Sequence, residues 1–139
     1  MTTASDRPSV VDSSAWLEYF FGNPAATHFR PPIDKVERLV VPSIVIVEVC
    51  RRILQRRPVS DALLAAERMS RGRVVELDAE LAVRAAQLGI EHRLPLADSI
   101  IFATAERHGA VIWTQDADFQ HLPNVRYFPK VAPATGAPP

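Results

Sequence analysis

Hydrophobic and polar residues follow two different periods along this chain, and segments of the two kinds alternate. Short apolar runs bounded by turn residues predict strands, whereas apolar residues spaced three or four positions apart over longer segments predict helices. The predicted strands span residues 9–12, 39–41, 73–77, 110–114 and 125–128. The predicted helices span residues 13–21, 44–57, 60–70, 79–92 and 96–108. Strands that are separated by helices indicate an α/β fold with a mostly parallel sheet.

The remaining segments set the limits of the domain. Residues 25–38 show no clear period and predict a loop with a short helix. Residues 1–8 are mostly polar and predict a flexible N-terminus, and residues 131–139 predict a disordered tail rich in proline and alanine. The 139-residue length then predicts one globular domain over residues 9–130.

The composition indicates the cellular compartment in which the protein is expected. No apolar run is long enough for a membrane span, and the single cysteine, Cys50, suits a reducing compartment. We therefore expect a cytoplasmic protein that does not enter a membrane. The sequence places no histidine near Cys50, which favours a small buried hydrophobe over a thiol nucleophile.

The charges balance over the whole chain but not within it. Sixteen basic and sixteen acidic residues give a net charge of zero, which argues against binding to nucleic acid through bulk charge alone. Residues 49–73 nevertheless contain seven arginines and two acids. A guanidinium suits phosphate, so Arg52 and Arg56, which would share one helix face, are candidates for phosphate contacts. The base composition of the genome is the alternative explanation for the arginines.

Three acidic residues lie where buried strands end. Asp12 follows the first strand, and Asp116 and Asp118 follow the strand predicted over 110–114. The carboxyl ends of neighbouring parallel strands meet at one edge of a sheet, where ligands bind. A helix cap for Asp12 and Asx turns for the other two acids are the structural alternatives.

Two further acids lie in helices that are otherwise apolar. Glu48 lies in the middle of one such helix, and Asp98 opens another. A buried carboxylate needs a partner, a proton or a metal ion. The structural alternatives are an exposed Glu48 paired with Arg51 or Arg52, and a helix cap at Asp98.

Together these acids predict a cation site. Asp12, Asp98 and Asp116 should approach one another at the same sheet edge, with no lysine or arginine among them. Such a cluster is stable only when it is protonated or binds a cation. All-oxygen ligands select hard divalent ions, Mg²⁺ or Mn²⁺, which often complete their shell with water and substrate phosphates. The sequence therefore predicts metal-assisted chemistry on phosphates.

The segments that hold these acids resemble, in order and spacing, the four motifs of PIN-domain ribonucleases. They are residues 10–14, the helix around Glu48, residues 96–101 and residues 114–119. The last of them, Thr-Gln-Asp-Ala-Asp-Phe, is the most diagnostic, and the chain is similar in size to the VapC-type toxins of bacterial toxin–antitoxin pairs. The resemblance implies a three-layer α/β/α sandwich around a mostly parallel sheet of about five strands.

The resemblance also implies a function. The expected protein is the toxin of a type II toxin–antitoxin system, a Mg²⁺- or Mn²⁺-dependent endoribonuclease that a cognate antitoxin inhibits. It would hydrolyse RNA phosphodiester bonds as a homodimer or in a hetero-oligomer with the antitoxin. By motif match the catalytic and metal-binding residues are Asp12, Glu48, Asp98 and Asp116, with Asp118 as a further metal ligand, Ser13 and Thr114 as supporting hydroxyls, and Arg52 and Arg56 as candidate RNA contacts. Gln115 departs from the pattern, since a basic residue often stands there.

Two other functions stay open at this stage. A PIN-like module could bind RNA or protein without cleaving it, although the complete set of acids argues against this, and a nuclease assay with and without Mg²⁺ separates the two. A receiver-like phosphoryl-transfer domain would need an acidic pair after the first strand and a late lysine. Here Asp12 is followed by Ser13, and the late lysine, Lys130, lies near the tail.

The first helix carries a candidate contact for an inhibitor. Trp16, Tyr19 and Phe20 form an apolar stripe that packing against the core would use. Phe21 lies about 100° further round the helix, so we expect it to be an exposed apolar anchor. An inhibitor helix beside residues 13–21 could then send a basic side chain toward the acids.

Overall fold

The computed structural model describes residues 6–130. The strands in that part of the chain are β1 Ser9–Val11, β2 Leu39–Pro42, β3 Arg73–Val75, β4 Val111–Thr114 and β5 Val125–Tyr127. The α-helices are α1 Ser13–Phe21, α2 Ala26–Asp34, α3 Ser43–Leu54, α4 Val59–Met69, α5 Ala79–His92 and α6 Leu96–His108, and single 3₁₀ turns cover Val36–Arg38 and Ala117–Phe119. The predicted tail over 131–139, and residues 1–5 of the predicted flexible N-terminus, lie outside the described residues.

All five strands run parallel in one sheet, in the order β3-β2-β1-β4-β5. β1 is central: its Ser9 is in register with Leu39 of β2 on one side and Val111 of β4 on the other. The chain therefore builds the sheet outward from β1 in one direction and then crosses to the other side. In such a sheet, ligands bind at the carboxyl edge beside the point where the strand order reverses. The predicted α/β fold with a parallel sheet is confirmed.

Helices cover both faces of the sheet. Val10 and Val11 are both fully buried, although successive side chains of a strand point to opposite faces. α6 contacts β1, β2 and β4, while α2 contacts β1 and α1 contacts β4. β1 and β2 are buried on both faces, and such strands appear as short, nearly continuous apolar runs, which is why their positions could be recognised from the sequence. None of the helices within residues 6–130 is long and apolar enough to cross a membrane.

The segment over 25–38 is more regular than its sequence predicts. α2 runs through two consecutive prolines, Pro31 and Pro32, although a proline inside a helix removes a hydrogen bond and costs about 3 kcal/mol. Phe29 and Ile33 lie one turn apart on its inner face and are fully buried. Burial of each of these side chains is worth about 1.5–3 kcal/mol, so packing against the sheet offsets the prolines.

Two glycines end helices for different reasons. Gly109 follows α6 with a φ of 61°, a left-handed conformation that favours glycine. Gly72 follows α4 where the backbone passes close to β2, and a Cβ built there would lie 2.9 Å from the carbonyl oxygen of Leu39. At the start of α5, Asp78 accepts a hydrogen bond from the backbone N–H of Leu81 at 2.7 Å. The predicted boundaries at these three positions are therefore correct.

Candidate metal centre

Asp12 occupies the carboxyl end of the central strand and is 2% exposed. Its Oδ2 accepts a hydrogen bond of 2.8 Å from the Thr114 hydroxyl, and its Oδ1 accepts one of 3.2 Å from the backbone N–H of Ala15. The second contact caps α1, so the structural role considered for Asp12 is present. It does not exclude a role in the site, because the same carboxylate lies beside Thr114 at the sheet edge.

Thr114 joins two of the predicted acids. Its hydroxyl donates to Asp12 and accepts a hydrogen bond of 2.8 Å from the backbone N–H of Asp116. Asp116 in turn accepts from the backbone N–H of Asp118 at 2.9 Å, which is the Asx turn considered from the sequence. A buried threonine at the end of β4 thus sets the relative positions of Asp12 and Asp116.

Asp98 lies in the first turn of α6 and is 9% exposed. The alternative role as a helix cap is wrong, since Pro95 occupies the N-cap position. Within residues 6–130 no hydrogen bond or ion pair engages the Asp98 carboxylate. A nearly buried carboxylate without a partner is costly, and this one lies beside other acids.

Glu48 lies on α3 with one carboxylate oxygen, Oε1, buried and without a hydrogen-bond partner in the described part of the chain. It pairs with neither Arg51 nor Arg52 there, so the alternative of a solvated ion pair is wrong. Burial raises the pKa of Glu48, while the Ser13 side chain acts in the opposite direction and the charge of Asp116 raises it further. Glu48 therefore faces the same edge as the aspartates.

The closest group of acids is formed by Asp98, Asp116 and Asp118. One carboxylate oxygen from each lies within 4.8 Å of the others. They differ in exposure, since Asp98 is buried, Asp116 is half-buried and Asp118 is exposed. The group is therefore open to solvent on one side, as a site that admits a substrate must be.

The pKa values show how closely the five acids interact. Burial raises the pKa of Asp98, and the charges of Asp116, Asp118, Asp12 and Glu48 raise it further, to about 7. Burial likewise raises the pKa of Asp12 to about 6, even though hydrogen bonds from Thr114, Ala15 and Ser14 favour its charged form. Like charges at short range disfavour ionisation, so at neutral pH the metal-free cluster is under electrostatic strain that a cation would relieve.

Two supporting side chains were not recognised from the sequence. The Ser14 hydroxyl lies 2.9 and 3.1 Å from the two carboxylate oxygens of Asp12, whereas the expected Ser13 acts on Glu48. Gln115 is nearly buried, and its amide donates to Glu18 at 2.9 Å, which ties the segment after β4 to α1. The sequence spacing could have indicated Ser14, because a hydroxyl two residues after a capping aspartate can reach that carboxylate. No such signal in the sequence indicated the contact of Gln115.

The predicted phosphate-binding arginines are placed differently from the expectation. α3 ends at Leu54, and Arg56 follows in a turn, so Arg52 and Arg56 do not share one face of a continuous helix. Arg52 donates to the Gln55 side chain at 3.3 Å. Both side chains are exposed, which leaves their role in RNA binding as a prediction.

Comparisons with known proteins agree with the fold described above. A family model described as the PIN domain matches residues 9–125, whereas no curated protein sequence gives a significant match. A toxin–antitoxin complex from Klebsiella pneumoniae is 22% identical with a TM-score of 0.72, covering 85% of this chain and 95% of that chain.

Two further solved structures are similar over nearly their whole length. A DNA-bound VapBC from Salmonella typhimurium is 19% identical with a TM-score of 0.71, covering 88% of this chain and 98% of that one. A VapC toxin from Mycobacterium tuberculosis, described as cleaving the sarcin-ricin loop, is 22% identical with a TM-score of 0.71, covering 84% and 96%. At these identities the shared property is the fold.

Proposed function

This chain belongs to the PIN domain family, and from that premise we propose that it is a VapC-type toxin, a metal-dependent endoribonuclease that an antitoxin inhibits. One observation carries the proposal. The carboxylates of Asp12, Glu48, Asp116 and Asp118 all raise the pKa of Asp98 at the carboxyl edge of the sheet, and no lysine or arginine forms an ion pair with any of these five acids within residues 6–130. Such an arrangement is unfavourable in isolation and favourable around a divalent cation.

The donor set fits Mg²⁺ or Mn²⁺. Mg²⁺–oxygen distances are about 2.1 Å, so two oxygens on opposite sides of one ion lie about 4.2 Å apart. The oxygens of Asp98, Asp116 and Asp118 lie within 4.8 Å of one another, close to that value. The buried and unpartnered Oε1 of Glu48 also needs a cation or a donor, and all-oxygen ligands favour hard divalent ions.

Four of the five acids have assigned tasks in this proposal. Asp12 and Asp116 hold the metal in positions that Thr114 sets through its two hydrogen bonds. Asp98 supplies a carboxylate that has no competing partner, and Oε1 of Glu48 accepts a hydrogen bond from the attacking water and orients it. When bound, the metal ion lowers the pKa of water and neutralises charge that develops on the phosphate.

RNA is the substrate class that the comparisons support. The similar Mycobacterium tuberculosis toxin is described as cleaving the sarcin-ricin loop, and its fold covers 84% of this chain. A solvent-accessible acid cluster that binds a divalent ion can accommodate a phosphodiester, because such ions complete their shell with water and phosphate oxygens.

The antitoxin contact is proposed beside α1. Phe21 is 48% exposed and Leu64 of α4 is 66% exposed, and both line a cavity of about 270 Å³ that also includes Phe20 and Ile53. Exposed apolar side chains around a cavity are typical of protein interfaces. We propose that an apolar antitoxin helix packs here and sends a basic side chain toward the acid cluster, where it competes with the metal.

A cleavage assay tests the enzymatic part of the proposal. Purified protein is incubated with total RNA in Mg²⁺, in excess EDTA, and in EDTA followed by Mg²⁺, and the RNA ends are sequenced. We expect cleavage at defined positions in Mg²⁺, none in EDTA, and recovery when Mg²⁺ is restored. Asp12→Asn should abolish cleavage and toxicity with an unchanged circular dichroism spectrum, because it removes one charge from the metal ligands.

Asp61→Asn is the matched control for that variant. It makes the same substitution on α4, outside the acid cluster, and should cleave like the wild type. Cleavage by wild type in excess EDTA, or by Asp12→Asn, would contradict the metal mechanism. RNA binding without any cleavage in Mg²⁺ would favour the non-catalytic binding module instead.

A further inference from the structure

A buried amide, that of Gln115, lies beside the acid cluster. Gln115 follows β4 between Thr114 and Asp116 and is 5% exposed. A buried side-chain amide needs hydrogen-bond partners to offset its loss of water. Its Nε2 donates to Oε1 of Glu18 at 2.9 Å and to the backbone carbonyl of Ser14 at 3.5 Å. The amide is therefore directed at α1 and away from the solvent, from which a phosphate would approach.

The Gln115 amide closes a ring of contacts around the site. On one side, the Ser14 hydroxyl lies 2.9 and 3.1 Å from the two carboxylate oxygens of Asp12, which fixes the start of α1 to that carboxylate. On the other side, the Thr114 hydroxyl donates to Asp12 and accepts from the backbone N–H of Asp116. Gln115 connects the two sides, because it is bonded covalently to Thr114 and Asp116 and through its amide to α1.

Glu18 offers the amide an acceptor with no competing partner. Within residues 6–130 its carboxylate accepts a hydrogen bond from Gln115 alone, and no lysine or arginine pairs with it. A hydrogen bond to a charged acceptor is roughly twice as strong as one between neutral groups. The contact joins residues 97 positions apart in the sequence, so it holds the segment after β4 firmly against α1.

A neutral amide at this position differs from the basic residue that often stands there in PIN-domain ribonucleases. A lysine or arginine could also pair with Glu18, but it would bring a positive charge beside Asp116. That charge would weaken the attraction of the acid cluster for a metal ion. Gln115 makes the contact with α1 and leaves the negative charge of the cluster unchanged.

We infer that Gln115 is a positioning residue: its hydrogen bond to Glu18 fixes the segment that carries Asp116 relative to Asp12, and thereby raises the affinity of the acid cluster for a divalent cation. This inference rests on the proposed metal-dependent function and gives a role to two residues outside the proposed ligands. Outer hydrogen bonds of this kind orient metal ligands, and removing one typically costs about 10–100-fold in metal affinity.

Substitutions of similar volume remove the hydrogen bond and keep the packing. Gln115→Met and Glu18→Met each delete one partner, whereas Glu18→Gln keeps an acceptor oxygen. Binding of Mn²⁺ to the full chain is measured from the electron paramagnetic resonance signal of the free ion. Gln115→Met and Glu18→Met should each weaken binding about tenfold. Their combination should weaken it no further, because both act on one contact, and Glu18→Gln should bind like the wild type. Glu18 is half-buried, so Glu18→Met tests the contact even if Gln115→Met does not fold.

Hydrogen exchange in EDTA gives a second readout that needs no metal. The backbone N–H of Asp116 donates to Thr114 at 2.8 Å, so its exchange rate, measured by NMR, reports opening of this segment. The rate should rise several-fold in Gln115→Met and Glu18→Met, while the amides of α5 keep their rates. A contact that only stabilised the whole fold would change both sets of amides and leave the affinity for Mn²⁺ unaltered.

Glu106→Met is the matched control. It removes an ion pair with Arg84, 2.7 Å long, between α5 and α6, and should leave Mn²⁺ affinity and Asp116 exchange unchanged. Wild-type Mn²⁺ affinity in both Gln115→Met and Glu18→Met, an unchanged Asp116 exchange rate in both, or equal weakening by Glu106→Met would each overturn the inference. If the wild type binds no Mn²⁺, the proposed function fails, and the exchange rate of Asp116 then decides the positioning role by itself.

Discussion

Replacing Asp98 by asparagine should stabilise the metal-free protein, and the gain should be larger at pH 8 than at pH 5. Burial and the neighbouring carboxylates raise the pKa of Asp98 from 3.8 to about 7. A carboxyl whose pKa is raised by folding binds more protons in the folded state than in the unfolded state. Its contribution to stability is therefore greatest at low pH and is lost as the pH rises from about 4 to about 7. Asparagine keeps the shape of the side chain and removes this loss.

The two pKa values set the size of the effect. The rise in the pKa of Asp98 from 3.8 to about 7 corresponds to about 4 kcal/mol of folding free energy once Asp98 is fully ionised in the folded protein. Less than half of this is already lost at pH 5, where Asp98 is ionised in the unfolded chain and protonated in the folded chain, and nearly all of it is lost at pH 8. The difference in free energy of unfolding between Asp98→Asn and wild type should thus grow by about 2–3 kcal/mol from pH 5 to pH 8. For a domain of this size, this corresponds to a Tm difference that grows by about 5–10 °C.

Thermal melts in EDTA at pH 5 and pH 8 measure this difference. Comparing one variant at two pH values cancels any packing change that asparagine introduces, and Asp61→Asn on α4 controls for the loss of an aspartate elsewhere. Mg²⁺ added at pH 8 should raise the Tm of wild type much more than that of Asp98→Asn, because the ion relieves the same repulsion. An equal Tm difference between Asp98→Asn and wild type at both pH values would refute the electrostatic account of the site.

Three further variants test individual contacts. Thr114→Val removes a hydrogen-bond donor to Asp12. It should lower the free energy of unfolding by about 1–3 kcal/mol, measured by urea unfolding, and weaken Mg²⁺ binding, measured by calorimetry. An unchanged Mg²⁺ affinity would show that Thr114 does not position the site. Arg52→Ala with Arg56→Ala should weaken RNA binding and flatten its salt dependence, and an unchanged slope in a filter-binding assay would identify them as ordinary solvated side chains. Phe21→Ser should weaken the antitoxin complex more than it lowers Tm, and hydrogen exchange without new protection across α1 on adding antitoxin would contradict the proposed contact.

The sequence by itself determined most of the architecture, for a local reason. Strands buried on both faces need continuous apolar runs, so residues 39–41, which are all buried, predict a strand from their own sequence. Helix ends were equally readable at Asp78 and Gly109, because a capping hydrogen bond and a left-handed φ involve only near neighbours. The order of the elements then implied a parallel sheet, and a parallel sheet implied that Asp12 and Asp116 emerge at one edge.

Features that depend on contacts between distant segments of the chain were decided only by the tertiary structure. α2 forms despite Pro31 and Pro32 because its inner face is buried against the sheet, and no local preference reveals that burial. Whether Glu48 met an arginine or the other acids could not be read from α3 alone. Short-range periodicity therefore specified the strands and helix ends, while packing decided which side chains meet.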